Sequence, residues 1–307
     1  MSLEGVTIAC IGLGRMGAGI AKNLQASGCR LVVYNRTHDK MQPFVAVGAK
    51  AARTPREAAS GTHFIVTSLM DDQSVLDTLL GEDGLLAGMG RGAIHIGTST
   101  ISPSGSTRIA QLHSQSGGYY LGAPVAGRPD AAAAGKLFTF VAGDSQIVEQ
   151  SRPVLKTYTQ KIIELGEDPA SAASMKLIVN FFAASVLETV GQAFAFAEKR
   201  GVLDPIAALL KASLPAMSEY VDRIAGRNYG NAGFTLDAGL KDVKLMLDAA
   251  GEVQVPLPFA SIIRDKCLAA QARGLSQADW CSFTDIARLE AGAMPVTVSS
   301  SSPAAAS

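Results

Sequence analysis

Short apolar runs bounded by glycine, asparagine and aspartate alternate with amphipathic stretches through the first half of the chain, and beyond it only the longer stretches continue. Val6 to Ile11, Arg30 to Tyr34, Phe64 to Leu69, Ala93 to Ile96, Tyr119 to Pro124, Leu137 to Ala142 and Lys161 to Leu165 read as strands. Near-continuous apolar runs of this length suit parallel strands covered on both faces. Their alternation with helices predicts an α/β domain, a doubly wound and mainly parallel sheet, over residues 1–166.

After that the strands stop. Asp168-Pro169 has the form of an N-cap followed by proline at the first helical position, and no breaker follows until Gly201, which suits the position just past a helix end. About 30 residues of helix would run ~45 Å. This one is apolar nearly all round, which predicts a helix buried at the centre of a second domain. Asp204-Pro205 repeats the cap, Thr235 to Ala250 forms an amphipathic helix, and Phe259 to Arg273 and Ser276 to Ala291 complete an all-α domain over 167–294 built on the long interdomain helix. The Ser/Ala-rich tail, 295–307, has no periodicity and is expected to be disordered.

The first strand runs into Gly12-Leu13-Gly14-Arg15-Met16-Gly17 and then an amphipathic helix. Strand, glycine-spaced turn and helix, in that order, predict a dinucleotide-binding βαβ unit of the Rossmann type. Gly12 permits the tight turn, Gly14 lets backbone N–H groups approach a pyrophosphate, and Gly17 lets helix and strand pack closely. The helix N-terminus supplies unpaired donors and a partial positive charge. Where an NAD site ends its second strand in a carboxylate for the ribose 2′-hydroxyl, this chain has Asn35-Arg36-Thr37. A guanidinium can pair with a 2′-phosphate, with Asn35 and Thr37 as neutral donors and acceptors, so NADP(H) is preferred and NAD(H) possible. The plainer reading of Arg36 is a solvated charge at a helix start.

Composition narrows the class further. The 307 residues allow two domains, and 27 basic against 27 acidic side chains leave no basic stripe for nucleic acid and no polybasic face for a membrane. Cys10, Cys29, Cys267 and Cys281 are too far apart for metal or redox CxxC motifs and read as reduced thiols in a cytoplasmic protein. No metal site is expected. The start of the chain lacks the pattern of a secretory signal, and the most apolar stretch, Leu177 to Leu187, holds Asn180 and is too short to span a bilayer. The surplus apolar surface of the long helix predicts a homodimer or higher homo-oligomer.

All four histidines, His38, His63, His95 and His113, fall in the nucleotide-binding half, so an acid or base from the helical half must be another residue. Lys176 is the candidate, with Asn180 one turn later on the same face. A lysine among Ala173, Met175, Leu177 and Ile178 is costly to desolvate unless it opens onto a polar cleft, although a lysine near a helix end can also reach solvent.

Taken together, these residues resemble the β-hydroxyacid dehydrogenases, the group of 3-hydroxyisobutyrate dehydrogenase and glyoxylate/succinic semialdehyde reductase, over roughly residues 5 to 292. The glycine turn with Asn23-Leu24 matches the cofactor signature. Gly97-Thr98-Ser99-Thr100-Ile101-Ser102-Pro103 is similar to the loop whose second hydroxyl residue, here Thr100, approaches the nicotinamide. Gly122-Ala123-Pro124-Val125-Ala126-Gly127 is similar to the substrate loop, Lys176 with Asn180 to the catalytic Lys-x-x-x-Asn, and Phe234 with Lys241-Asp242 to the helix motif that closes over cofactor and substrate. The resemblance implies a small carbonyl or β-hydroxyacid substrate, hydride exchange with NADPH, Lys176 as general acid and base, and Asn180 orienting substrate or lysine. It implies cofactor contacts from Gly12 to Gly17, Asn35 to Thr37, Leu69, Met70, Thr100 and Lys241, and substrate contacts from Ala126, Gly127, Arg128, Phe234 and Asp242.

Two departures bear on the substrate. Ala126 stands where the family has a serine, with Arg128 close by to replace the contact or to begin a helix. Ala170-Ser171-Ala172 stands in place of a Gly-x-Gly before the lysine. The competing readings are an imine reductase, which usually has Asp or Tyr at the lysine position, and a cofactor-binding sensor or scaffold without turnover.

Overall fold

The computed structural model describes residues 2–296. The chain divides into two compact units, Met1–Lys176 and Leu177–Ser307. The first unit carries the strands β1 (Thr7–Ile11), β2 (Arg30–Tyr34), β3 (Lys50–Ala51), β4 (Phe64–Thr67), β5 (Ile94–Gly97), β6 (Tyr119–Gly122), β7 (Val125–Ala126), β8 (Leu137–Val141) and β9 (Thr159–Glu164). Its helices are α1 (Arg15–Ala26), α2 (Gln42–Val45), α3 (Pro55–Ala59), α4 (Asp72–Leu79), α5 (Leu85–Gly88), α6 (Pro103–Gln115), α7 (Pro129–Ala133) and α8 (Ser145–Tyr158).

The main sheet has the order β3-β2-β1-β4-β5-β6, all parallel. This is the doubly wound order that puts a crevice beside β1 at the carboxyl ends of the strands. Burial on both faces explains the apolar runs: Ile8 and Cys10 join one core cluster while Ala9 and Ile11 join another across the sheet. Cys10 is wholly buried, which pushes its thiol up to about 12 and leaves it inert.

The last two expected strands do not extend this sheet. They form a separate one with the order β7-β8-β9, in which β7 and β8 are antiparallel. Pro124 has no N–H for a ladder and cannot continue β6. Its carbonyl instead accepts Phe140 N–H at 3.1 Å, and Gly122 and Ala142 exchange two hydrogen bonds.

Helix α9 (Pro169–Arg200) begins within the first unit and supplies the first helix of the second. The Asp168 carboxylate accepts Ala170 N–H at 3.0 Å, and Gly201 ends the helix at φ +70°, where a Cβ would be strained. Then follow α10 (Leu203–Ser213), α11 (Ser218–Ala225), α12 (Leu236–Glu252), α13 (Pro258–Gln271) and α14 (Asp285–Glu290). The core of this unit gathers Leu187, Val190, Phe194, Leu240, Ile263, Trp280 and Phe283.

Three expectations for this unit are corrected. Asp204 is not a cap but lies in the first turn of α10, whose N-cap is Val202, because Val202 N–H closes on Ala197 O and the chain re-enters helix at once. The single helix expected over Ser276 to Ala291 is a 3-10 turn at Trp280–Thr284 followed by the short α14. Backbone donors there serve other partners: Asp279 N–H goes to Tyr229 O and Trp280 N–H to Phe234 O, both at 2.8 Å. Finally, α9 is not buried all round. Ile178 is 51%, Phe182 69% and Phe196 69% exposed. By length and composition alone α9 is apolar enough to cross a membrane, yet the same helix holds Lys176 and the fully buried Glu188. The tail expected at 295–307 lies, from residue 297 on, outside the described residues.

Candidate functional site

The glycine turn is built as its spacing requires. Gly12 has φ +92°, and a Cβ on it would meet Ser68 O at 2.3 Å; a Cβ on Gly17 would meet Gly12 O at 1.9 Å. At Gly14 a Cβ would have nothing within 4 Å. Two glycines are thus fixed by protein backbone, and the middle one opens outward. Gly14 caps α1 without a side-chain hydrogen bond, and the first turn carries no acidic residue. The turn therefore keeps the open donors and partial positive charge that a diphosphate needs.

Asn35 ties this turn to the end of β2. Its Oδ1 accepts Leu13 N–H at 2.8 Å and its Nδ2 donates to Thr37 O at 2.9 Å. The amide, expected from the sequence to contact the cofactor, thus also braces the backbone of the turn. Arg36 is exposed, as are Arg15 and Thr37.

The loops after β4 and β5 are joined to each other. Thr98 N–H and Oγ1 both donate to Thr67 O, at 2.9 and 2.8 Å, and Leu69 N–H donates to Ser99 Oγ at 2.8 Å. Two of the three hydroxyls in Thr98-Ser99-Thr100 are buried in this way, whereas Thr100 is half-buried and Met70 exposed. Asp72 at the start of α4 accepts Ser102 N–H at 3.1 Å as well as the Ser102 hydroxyl, which caps α6. Gly127 has φ +139°, and Arg128, half-buried, is the N-cap of α7.

Lys176 is buried, 8% exposed, in the second turn of α9. Asn180, one turn on, donates from Nδ2 to Asp242 Oδ2 of α12 at 2.6 Å, and the other oxygen of Asp242 pairs with Lys241 Nζ at 2.7 Å. Asp242 is itself buried. The structure thus brings Asn180, Lys241 and Asp242 into one cluster. Gly239 lets α12 lie against Trp280, where a Cβ would meet the indole at 3.0 Å, and Phe234 packs edge-on to the same ring at 5.3 Å.

Residues 7–166 match the model of the NAD-binding domain of 6-phosphogluconate dehydrogenase, and residues 170–287 that of the NAD-binding domain of NADP-dependent 3-hydroxyisobutyrate dehydrogenase. The chain belongs to the β-hydroxyacid dehydrogenase family. It is 39% identical to the uncharacterized oxidoreductase YfjR of Bacillus subtilis over 90% of this chain and 98% of that protein. It is 30% identical to glyoxylate/succinic semialdehyde reductase 2 of Arabidopsis thaliana, over 91% of this chain and 79% of that one. Among solved structures, the 3-hydroxyisobutyrate dehydrogenase of Mycobacterium tuberculosis with L-serine superposes with a TM-score of 0.81 at 25% identity, covering 92% of this chain and 99% of that one.

As a β-hydroxyacid dehydrogenase the protein is an NAD(P)-dependent oxidoreductase, and the open cradle at Gly14 fits the cofactor's diphosphate. Sequence reasoning missed the Asp72–Ser102 contact, the Asn180–Asp242 bond and a chain of buried side chains formed by Thr67, His95 and His113. Each joins residues far apart in sequence, so no local spacing marks it.

Proposed function

We propose that the protein is an NADPH-dependent reductase of small aldehydes or keto acids, working reversibly against the β-hydroxyacid, with Lys176 as proton donor and acceptor. The observation that carries this reading is a buried lysine on α9, one turn from an asparagine held by a carboxylate, in a chain of this family. The bound nicotinamide supplies the hydride. Lys176 donates its proton to the carbonyl oxygen as charge develops there, and in oxidation takes it back. Asp242 fixes the Asn180 amide, whose Oδ1 is an acceptor suited to orienting a donor on substrate or lysine.

Residues Gly12 to Gly17 would hold the diphosphate, and Leu69, Met70 and Thr100 the nicotinamide side. Arg36 supports NADPH, because an exposed guanidinium there can pair with a 2′-phosphate and β2 is followed by Asn35 rather than a carboxylate. The matched description of an NADP-dependent enzyme agrees. Arg128 supports a substrate bearing an anionic group, in line with the semialdehyde and sulfolactaldehyde named for two relatives. The exposed stripe of Ile178, Phe182 and Phe196 supports a homodimer. Buried thiols at Cys10, Cys267 and Cys281 suit the reducing cytoplasm.

The test is Lys176→Met, screened by NADPH oxidation against semialdehydes, keto acids and cyclic imines. Methionine keeps the volume and suits an apolar helix, so folding and NADPH binding should persist while kcat falls about 10²–10⁴-fold. Turnover within a few-fold of wild type would remove Lys176 from the chemistry, and activity confined to imines would replace the carbonyl reading.

A further inference from the structure

Three polar side chains are sealed inside the first unit: Thr67 at the end of β4, His95 in β5 and His113 in α6. Thr67 Oγ1 lies 2.8 Å from His95 Nε2, His95 Nδ1 lies 3.0 Å from His113 Nε2, and His113 Nδ1 lies 2.8 Å from Ile109 O. The Tyr120 ring packs against both imidazoles, with centroids 5.2 and 5.5 Å away. None of these groups reaches solvent, so none can serve as the acid or base of the proposed reaction.

The last contact sets the direction of the whole chain. A carbonyl only accepts, so His113 Nδ1 carries a hydrogen; in a neutral ring Nε2 is then an acceptor. His95 Nδ1 must therefore donate to it, which makes His95 Nε2 an acceptor and Thr67 Oγ1 the donor. A proton on either ring would oppose this order, and burial works against it: His113 is lowered to about 4, and His95 is held well below the usual histidine range by burial and by its neighbour.

We propose that this one-way relay holds the loops after β4 and β5 in place, making His95 and His113 positioning residues for the cofactor edge of the sheet. Thr67 is where the relay meets those loops. Its hydroxyl is fixed by His95, its carbonyl takes both donors of Thr98, and two residues on Leu69 N–H binds Ser99 Oγ. Ser68 N–H donates to Ile11 O at 2.9 Å, and Ser68 O abuts Gly12. One threonine rotamer thus sets the register of the glycine turn, residues 68–70 and residues 98–100. An apolar side chain could pack equally well at 67 or 95; the polar chain adds direction, which packing cannot. The inference rests on the proposed reading of Leu69, Met70 and Thr100 as cofactor contacts.

Thr67→Val keeps the shape and removes the donor, and Thr67→Ser restores it. In the cofactor-free protein, Thr67→Val should speed amide exchange at Leu69 and Thr98 by roughly tenfold, the order set by one lost buried hydrogen bond, with Thr67→Ser within about threefold of wild type. The NADPH dissociation constant, read by fluorescence, should rise by about the same factor. Exchange unchanged in Thr67→Val overturns the relay. Faster exchange with unchanged NADPH affinity keeps the relay and removes those loops from the cofactor site, so the two failures are separate. A test on wild type needs no variant to fold: histidine-selective ¹⁵N spectra should show both rings protonated at Nδ1, and an Nε2–H on either ring overturns the proposal.

Discussion

Asp242→Asn asks whether charge, rather than shape, holds Asn180 against α12. One oxygen of the buried carboxylate accepts Asn180 Nδ2 at 2.6 Å and the other pairs with Lys241 Nζ at 2.7 Å. Asparagine has the same outline and its oxygen can still accept from Asn180, so the substitution removes the charge and turns the oxygen that faces Lys241 into an NH2 donor. A hydrogen bond to a charged group contributes about 1.5–3 kcal/mol and a neutral one about 0.5–1.5, so this contact loses about 1 kcal/mol. Stranding a fully buried lysine would cost about 3–5 kcal/mol, but solvent reaches the partly exposed Lys241 and brings its share down to about 1. The total of about 2 kcal/mol should lower Tm by roughly 3 °C in a chain of this size, at an unfolding entropy of about 2.1 cal/mol/K per residue.

Thermal melts and steady-state kinetics on the same preparations test this. If Asn180 contacts the reacting groups, kcat should fall about tenfold as its amide loses its anchor. A double-mutant cycle with Asn180→Ala should return a coupling of about 1 kcal/mol. A variant melting within about 1 °C of wild type with kcat within about twofold would show that the cluster contributes nothing beyond packing.

Arg36→Ala should weaken NADPH by roughly 10- to 150-fold, the equivalent of about 1.5–3 kcal/mol, and leave NADH unchanged; equal losses for both would refute the 2′-phosphate contact. Because His95 and His113 are held neutral in the fold, the unfolded chain takes up protons first as pH falls below about 6.5. Stability should be level above that pH and decline towards pH about 4, and chemical denaturation showing no slope in that window would contradict their burial. Phe182→Glu should convert a dimer to monomer by light scattering, and a wild type already monomeric at micromolar concentration would remove the dimer reading.

What was legible in the sequence follows from the range of the interactions. The glycine turn is local: Gly12 and Gly17 are required by backbone within a few residues or by the adjoining strand, so their spacing is a direct print of the geometry. That Lys176 and Asn180 lie side by side was legible for the same reason, since a helix puts i and i+4 on one face. The partner of Asn180 lies 62 residues away on α12, and His95 meets His113 across a strand and a helix. No periodicity records such pairs. The second sheet escaped because β8 is as apolar in pattern as the main strands, and only the hydrogen bonds around Pro124 decide which sheet it joins. Asn35 carries a structural duty that its residue type did not announce: the backbone of the turn uses one bond at each end of its amide.

Helix α9 is arranged against the usual rule for a surface helix. Lys176, Asn180 and Glu188 recur at multiples of four residues, a gently turning stripe, and Lys176 and Glu188 are buried. Asn180 is held by Asp242 of α12, and Glu188 by Lys266 of α13 at 3.0 Å with Gln192 at 2.7 Å on the same oxygen. The large apolar side chains Ile178, Phe182 and Phe196 occupy the opposite side and stand exposed; Ile178 and Phe196 are five full turns apart at 3.6 residues per turn. Charges inside and phenylalanines outside is unfavourable for a helix whose outer face meets water. Cover of that face by a second copy, as in the proposed homodimer, would make the arrangement favourable, because the apolar stripe would leave water while the inner polar stripe keeps its own partners. The same division explains why hydropathy alone reads α9 as apolar all round: one face is buried by its own chain, and the other is equally apolar but exposed.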